Sequence, residues 1–483
     1  MGENSETLFA QLCALVEETM KQKGVPGVAV GVLQGDETHT AGFGVTSAEH
    51  PLPVTDETLF QVGSITKTFT CLAMMRLVEQ GKLDLQATVR TYLPAFKVAD
   101  EAASAQVTLW HLLTHMSGWE GDLFEDTGAG DDALPRYMAR MADLEQMAPL
   151  GTVWSYNNAG FYLAGYVIEQ VTEQPYAKAM QELVFGPLGL ARCYLDPGDV
   201  ITHRFAVGHH AEGSQPTVLR PWPLPRAAYP AGGIVCDVKT LLHYARFQLG
   251  DGTVQGERRD APGDGGLEQR GEKGKDGQRV VVLKPETMAH MHSPQASRGS
   301  EKAQIGLSWF IDDVEGVRSV RQLSHGGGTM GQISLLAMFP AHSLAVAVQT
   351  NADEGGAVTD DVRRWVLEHY LGVQEPKPEP IEATEEELAA YAGFYTRPSA
   401  DTELGMLCGR LVGQMVFKRG FPSQDSPPPP PPPPSSFALC GADRLIVTSG
   451  PGKGSCVDVV RKADGTIGWL RTGGRIYRRV EKR

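Results

Sequence analysis

Apolar residues recur on one helical face over residues 6–21 (Leu8, Leu12, Leu15, Val16, Met20), which predicts an amphipathic helix. Val25-Pro26-Gly27 stops it. The unbroken apolar run 28–33 predicts a buried strand, and the Gly35-Asp36 turn returns the chain as a second strand over 38–45. The next apolar block, from Cys71 to Val78, takes on helical spacing and closes at Gly81. A capped helix ending in a Gly turn is expected within 107–118. Residues 119–200 read as mostly helical, broken at Pro149-Leu150-Gly151 and Pro187-Leu188-Gly189, and 201–235 as rich in loops. A helix over 237–249, strands over 305–312, 333–339 and 344–350, and a helix over about 359–371 complete this part of the pattern.

Punctuation then divides the chain. Residues 251–279 are polar, charged and Gly-rich, an insertion expected to carry no fixed structure. Gln374-Glu375-Pro376-Lys377-Pro378-Glu379-Pro380 reads as a stiff linker. The expected division is therefore a first domain over 1–373, a Pro-rich linker over 374–384 and a small all-β domain over 385–483. In that tail, strands over 457–461, 467–471 and 475–480 are separated by the hairpin signals Asp464-Gly465 and Gly473-Gly474. The eight prolines at 427–434 cannot pair in a sheet, so an exposed polyproline loop is expected there.

Composition narrows the function classes. With 41% hydrophobic and 21% charged residues, the 483-residue chain has the make-up of an ordinary globular protein long enough for more than one core. A formal net charge of −14 argues against nucleic acid or an anionic membrane as partner. No apolar run reaches the roughly 18–20 residues of a membrane span. The amino terminus, Met1-Gly2-Glu3-Asn4-Ser5-Glu6, lacks the basic and apolar regions of a signal peptide, which points to the cytoplasm. Seven cysteines without Cys-x-x-Cys spacing fit reduced thiols, and the histidines at 209–210 and 290/292 lack metal-site spacing and are expected to be solvated or capping.

Three stretches carry candidate chemistry. Ser64-Ile65-Thr66-Lys67 places a hydroxyl and an amine on one helical face at a helix start, where unpaired N–H groups can face an anion. A nucleophile, its base and half an oxyanion hole can thus come from one turn; a capping Ser beside a solvated Lys has the same spacing. Tyr156-Asn157-Asn158 precedes another helical block. A Lys ammonium nearby would favour the Tyr156 phenolate as general base, and Asn158 could donate to a substrate carbonyl or tether Lys67; a Tyr on a helix-entry loop with an Asn cap also fits. In His325-Gly326-Gly327-Gly328-Thr329-Met330-Gly331, the Gly326–Gly331 segment formally matches G-x-G-x-x-G, yet strand-like sequence follows where a dinucleotide site needs a helix. A Gly-rich strand start instead lets a substrate backbone approach closely, and the N–H of about Gly328 can complete an oxyanion hole. His325 by itself also fits a turn histidine. G-x-S-x-G, H-E-x-x-H and Walker signatures are all missing from the sequence.

Taken in order, Ser64-x-x-Lys67, Tyr156-x-Asn158 and His325-x-Gly327 resemble the serine β-lactamase/penicillin-binding-protein superfamily. The class C β-lactamase-like branch, with its family VIII carboxylesterases and D-aminopeptidase/DD-peptidase relatives, is the most similar. The flanks Phe60-Gln61-Val62-Gly63, Leu112-Leu113-Thr114-His115-Met116-Ser117-Gly118 and Pro230-Ala231-Gly232-Gly233 share the likeness, which spans roughly 8–372. It implies an α+β fold: an antiparallel sheet flanked by helices, with a helical subdomain across the active-site groove. It implies Ser64 as acylated nucleophile, Lys67 as its proton acceptor and Tyr156 as proton shuttle. Asn158 would position substrate, and the N–H groups of Ser64 and Gly328 would form the oxyanion hole. No cofactor is implied, and which of Lys67 and Tyr156 acts first as base stays open. The tail resembles the lipocalin-like barrel appended to some peptidase relatives. His325 stands where dedicated β-lactamases usually carry a Lys, which favours a neutral ester, amide or peptide substrate with at most weak β-lactam turnover. A dedicated β-lactamase, a D-amino-acid-specific peptidase, acyl transfer to an alcohol or amine, a silent recognition module and self-assembly into an oligomer remain open on sequence alone.

Overall fold

A computed structural model of the protein describes residues 5–211, 215–255, 279–315, 319–420 and 427–481. Eight antiparallel strands make the main sheet: β1 (Gly27–Gln34), β2 (Glu37–Gly44), β3 (Ala296–Ser300), β4 (Ala303–Ile305), β5 (Phe310–Val314), β6 (Val320–Thr329), β7 (Gln332–Phe339) and β8 (Leu344–Thr350). Their order is β2-β1-β8-β7-β6-β5-β4-β3. The strands nearest the middle are buried on both faces, which explains their continuous apolar sequence: β8 is buried at every position. Helices α1 (Ser5–Lys23) and α2 (Thr66–Glu79), then α3 (Asn158–Thr172), α4 (Val238–Leu249) and α5 (Gly355–Leu371), account for the long periodic blocks. On one side of the sheet, Leu12 and Val16 of α1 and Val358, Val362 and Val366 of α5 pack with β1 and β8. On the other, α2, α3 and α4 share a second, larger core. This α+β arrangement is the one the family resemblance implies.

Three expectations change. Residues 119–132 form no helix, so the segment that carries Asp122 is a loop, held at its start by Glu120 N–H donating to the Glu145 carbonyl. The single strand expected over 305–312 divides into β4 and β5, because a tight turn (Gly306 N–H to the Trp309 carbonyl, 2.8 Å) lets Ser308 N–H reach Leu113. His209 is not solvated: it is buried, taking the Ala48 N–H at Nε2 (3.0 Å) and lying 2.7 Å from the Asn351 carbonyl at Nδ1. Most of the 251–279 insertion lies outside the described residues, but its ends pair as short strands, Thr253–Gln255 with Arg279–Val281.

Past Leu371 the chain carries no regular structure until Glu385. Eight strands from Gly393 to Val480 then close an antiparallel barrel around Tyr395, Leu411, Leu445 and Tyr477. Pro427–Pro434 join two of them as an unpaired, largely exposed segment. The barrel is docked on the first domain. Trp469 packs with Met147, Val153 and Ile476, and its indole N–H donates to the Met147 carbonyl at 2.8 Å. Among the described residues no helix is long and apolar enough to cross a membrane.

Candidate active site

Ser64 stands in a single 3-10 turn, Gly63–Ile65, that runs straight into α2. It is the one partly exposed residue in an otherwise buried stretch from Leu59 to Met75, so it opens onto a cleft while the turn beneath it is fixed. Lys67, one turn on, is fully buried. Its Nζ lies 2.9 Å from Ser64 Oγ, donates to the Ala231 carbonyl at 2.7 Å, and sits 5.0 Å from the centre of the Tyr156 ring. No carboxylate pairs with it among the described residues. Burial, aided by the Arg475 guanidinium and opposed by Asp122, holds its pKa well below the usual lysine value, which favours the free amine.

The strand β6 is brought against this turn by two glycines. Gly63 takes φ +50°, and a Cβ there would come within 2.6 Å of Gly328 N. At Gly327 a Cβ would fall 1.9 Å from the Val62 carbonyl oxygen. Side chains secure the contact: Ser334 Oγ donates to the Val62 carbonyl (2.8 Å), and Gln332 Oε1 accepts the Gln61 N–H (2.9 Å). Gly328 is thus placed beside the Ser64 turn. The pairing of β5 with β6 runs out at Phe310 opposite Ser324, leaving residues 325–329 paired only with β7. That stretch faces the cleft with an open backbone edge.

Tyr156 enters from the loop before α3. Asn157 caps that helix, its Oδ1 accepting Gly160 N–H at 2.8 Å, so Tyr156 and Asn158 stand on either side of the cap. The phenol faces Ser64 but makes no hydrogen bond of ordinary geometry. Its pKa is pushed above the usual value by burial, against the opposing pull of Ser64 and Arg475. The sequence suggested a stabilised phenolate; desolvation reverses that, because the low-dielectric site disfavours the anion more than Ser64 and Arg475 favour it. Asn158 does not tether Lys67. Its Nδ2 donates to Asp122 Oδ1 at 2.8 Å, and the Ala231 carbonyl takes the place expected for it.

His325 lies in the third stretch, stacked on Phe310 (centroids 4.8 Å apart), with Nδ1 2.6 Å from the Gly326 carbonyl and Nε2 unpartnered. Burial, then the nearby Lys67, lowers its pKa to about 3, so it supplies no fixed positive charge.

Four participants escaped the sequence reading. His115, at φ 59°, accepts Asn157 N–H at Nδ1 (3.0 Å) and stacks on Tyr156 at 4.5 Å. Asp122, the buried Arg397 and the partly exposed Arg475 form a cluster beside Asn158, the two arginines coming from the barrel. The hairpin Gly473-Gly474 was legible as a turn, yet nothing in the sequence showed that Gly474 accepts the Tyr156 N–H at 2.8 Å. The resulting cleft, of about 1710 Å³, is walled by both domains. Its arginines are paired with carboxylates: Arg226 with Asp131, Arg298 with Asp312, Arg461 with Asp443, Arg444 and Arg471 with Asp458, and Arg475 with Asp122.

Known proteins match both parts of the chain. The family described as Beta-lactamase matches residues 12–371. Penicillin-binding protein 4 of Amycolatopsis lactamdurans is 32% identical over 77% of this chain and 93% of its own. Esterase EstB of Burkholderia gladioli is 30% identical over 65% and 90%. In fold, the octameric penicillin-binding protein homologue from Pyrococcus abyssi aligns with a TM-score of 0.64 over 97% of this chain and 99% of its own, at 21% identity.

Proposed function

The chain belongs to the beta-lactamase family as a serine hydrolase, and from that premise we propose that Ser64, Lys67 and Tyr156 cleave ester or amide bonds through an acyl-enzyme. The observation that carries the reading is the buried Lys67 amine, 2.9 Å from Ser64 Oγ and without a carboxylate partner among the described residues. An uncharged amine can take the Ser64 proton as Oγ attacks the acyl carbon. The oxyanion forms against the N–H groups of Ser64 and Gly328, the latter brought in by Gly327 and Gly63. The neutral Tyr156 phenol hands a proton to the leaving oxygen or nitrogen and then recovers one from the water that releases the acyl group, while Lys67 returns its proton to the departing Ser64 oxygen. Asn158 steers the acyl chain from its anchorage on Asp122. A substrate backbone can lie along the open edge at 325–329 as an added strand.

The substrate class we favour is neutral: an ester, or a peptide or amide without an obligatory anionic group. His325 is uncharged and, among the described residues, every arginine lining the cleft is engaged by a carboxylate, Arg444 and Arg471 sharing Asp458, so none stands unpaired to select a substrate carboxylate. Hydrolysis of p-nitrophenyl butyrate, D-amino-acid amides and a chromogenic cephalosporin, compared with and without Ser64→Ala, tests this. Ester or amide turnover well above cephalosporin turnover is expected, lost in the variant; turnover retained in Ser64→Ala, or a cephalosporin preferred over all others, contradicts it. We further propose assembly into an oligomer, on the fold it shares with the octameric homologue; sedimentation reads this directly.

A further inference from the structure

The barrel places one side chain where the reading above has no role for it. Arg475 leads the last strand of the barrel and is directed into the first domain by the Gly473-Gly474 turn, both residues at positive φ. Its Nε and Nη2 reach Asp122 Oδ2 and Oδ1 at 3.0 and 3.3 Å, and its guanidinium carbon lies 4.6 Å from the centre of the Tyr156 ring. Asp122, about nine-tenths buried, also takes Arg397 at 2.8 Å and the Asn158 amide at 2.8 Å. Two cations on one buried carboxylate hold it ionised, with a pKa driven far below the ordinary range.

We propose that Arg475 is a positioning residue that completes the active site from the barrel: it clamps Asp122, and through it the Asn158 carboxamide, beside Lys67 and Tyr156. The inference rests on the reading of Lys67 as proton acceptor. A bidentate guanidinium–carboxylate pair fixes orientation as well as distance, and Asn158 has Asp122 as its anchor. The clamp has an electrostatic consequence. The titratable groups facing Lys67 are Tyr156 from the loop before α3, His115 from the segment ending at Gly118, His325 from β6, and the Asp122–Arg475 pair. Burial keeps both imidazoles and the phenol uncharged. Only Asp122 and Arg475 are left to bias the amine, and they act with opposite sign: Arg475 disfavours the ammonium and Asp122 favours it. The barrel thereby tunes the base without touching it.

The sign gives the test, run on the whole chain as the pH profile of kcat/KM for p-nitrophenyl butyrate. Activity falls on the acidic side as Lys67 takes up its proton. Arg475→Met removes a nearby cation, so the acidic limb should move to higher pH by about half a unit or more, as expected for the loss of one partly screened charge. Arg475→Lys keeps the charge but not the fork, and should hold the limb near its wild-type position while lowering kcat more than it raises KM. Asp122→Asn should move the limb the other way, to lower pH, and it decides the matter should Arg475→Met not fold. A merely structural arginine would lower activity in every variant without opposite displacements. An acidic limb that stays in place in Arg475→Met, or moves upward in Asp122→Asn, overturns the inference. A wild type with no acidic limb at all would instead remove the proton-acceptor reading beneath it.

Discussion

At the scale of the residue, Lys67 carries an unusual energetic burden. A lysine buried without a counter-ion destabilises the fold wherever solvent would protonate the unfolded chain. Its lowered folded-state pKa means that the unfolded state binds more protons below the ordinary lysine value, so the penalty is present at neutral pH and fades as pH rises toward that value. Replacing it with an apolar side chain of similar length removes the penalty. Lys67→Met should therefore be inactive yet melt higher than wild type, by the equivalent of roughly 1–3 kcal/mol; thermal unfolding at pH 7 checks it, and a lower melting temperature would contradict the burial argument. Gly327 makes the opposite case. Because a Cβ there would lie 1.9 Å from the Val62 carbonyl, Gly327→Ala must push β6 away from the Ser64 turn. Activity should fall by about 10²-fold, the order lost with one oxyanion-hole donor, with stability falling too. Gly328→Ala, whose Cβ meets nothing nearer than 3.5 Å, serves as the control that folds normally.

Elements show what the sequence could and could not carry. Ser64 and Lys67 were legible because both sit within one turn, where spacing alone sets their geometry. So was the strand after Gly331, since the apolar run over 333–339 ends at Pro340 and leaves no room for a helix. The Gly-rich stretch of β6 was legible as a place of close backbone approach, but the sequence pointed to a substrate backbone where the structure sets the Val62 carbonyl against Gly327. The two-strand break at Gly306–Trp309 was not: its turn exists to bring Ser308 to Leu113 and to stack Phe310 on His325, contacts between segments far apart in sequence. The sign of the Tyr156 shift was missed for the same reason, since desolvation is a property of the assembled site. Asp122, in a stretch whose pattern reads as mostly helical, carried no signal of its own; its role comes from the two barrel arginines that enclose it. A prediction belongs to the Trp469 strand: Trp469→Ala removes a side chain packed on Met147 and Val153 together with its hydrogen bond. The barrel–core contact should weaken by about 3–5 kcal/mol, read as separate unfolding transitions in place of one; a single unchanged transition would contradict it.

Considered whole, the molecule is a hydrolase fold whose cleft is finished by a second domain. The barrel contributes the Gly474 carbonyl to Tyr156, Arg397 and Arg475 to Asp122, and a wall of the cleft. Activity and barrel docking should therefore fail together, and substrates long enough to fill the cleft should sense the barrel more than short ones. These consequences all presuppose one covalent event at Ser64. The most direct test is the mass of the intact protein after brief exposure to p-nitrophenyl butyrate, followed by peptide mapping, with Ser64→Ala alongside. One butyryl group on the peptide containing Ser64, gained by the wild type and not by the variant, is the result the account predicts. An adduct on any other residue, or nitrophenol release unchanged in Ser64→Ala, would contradict it.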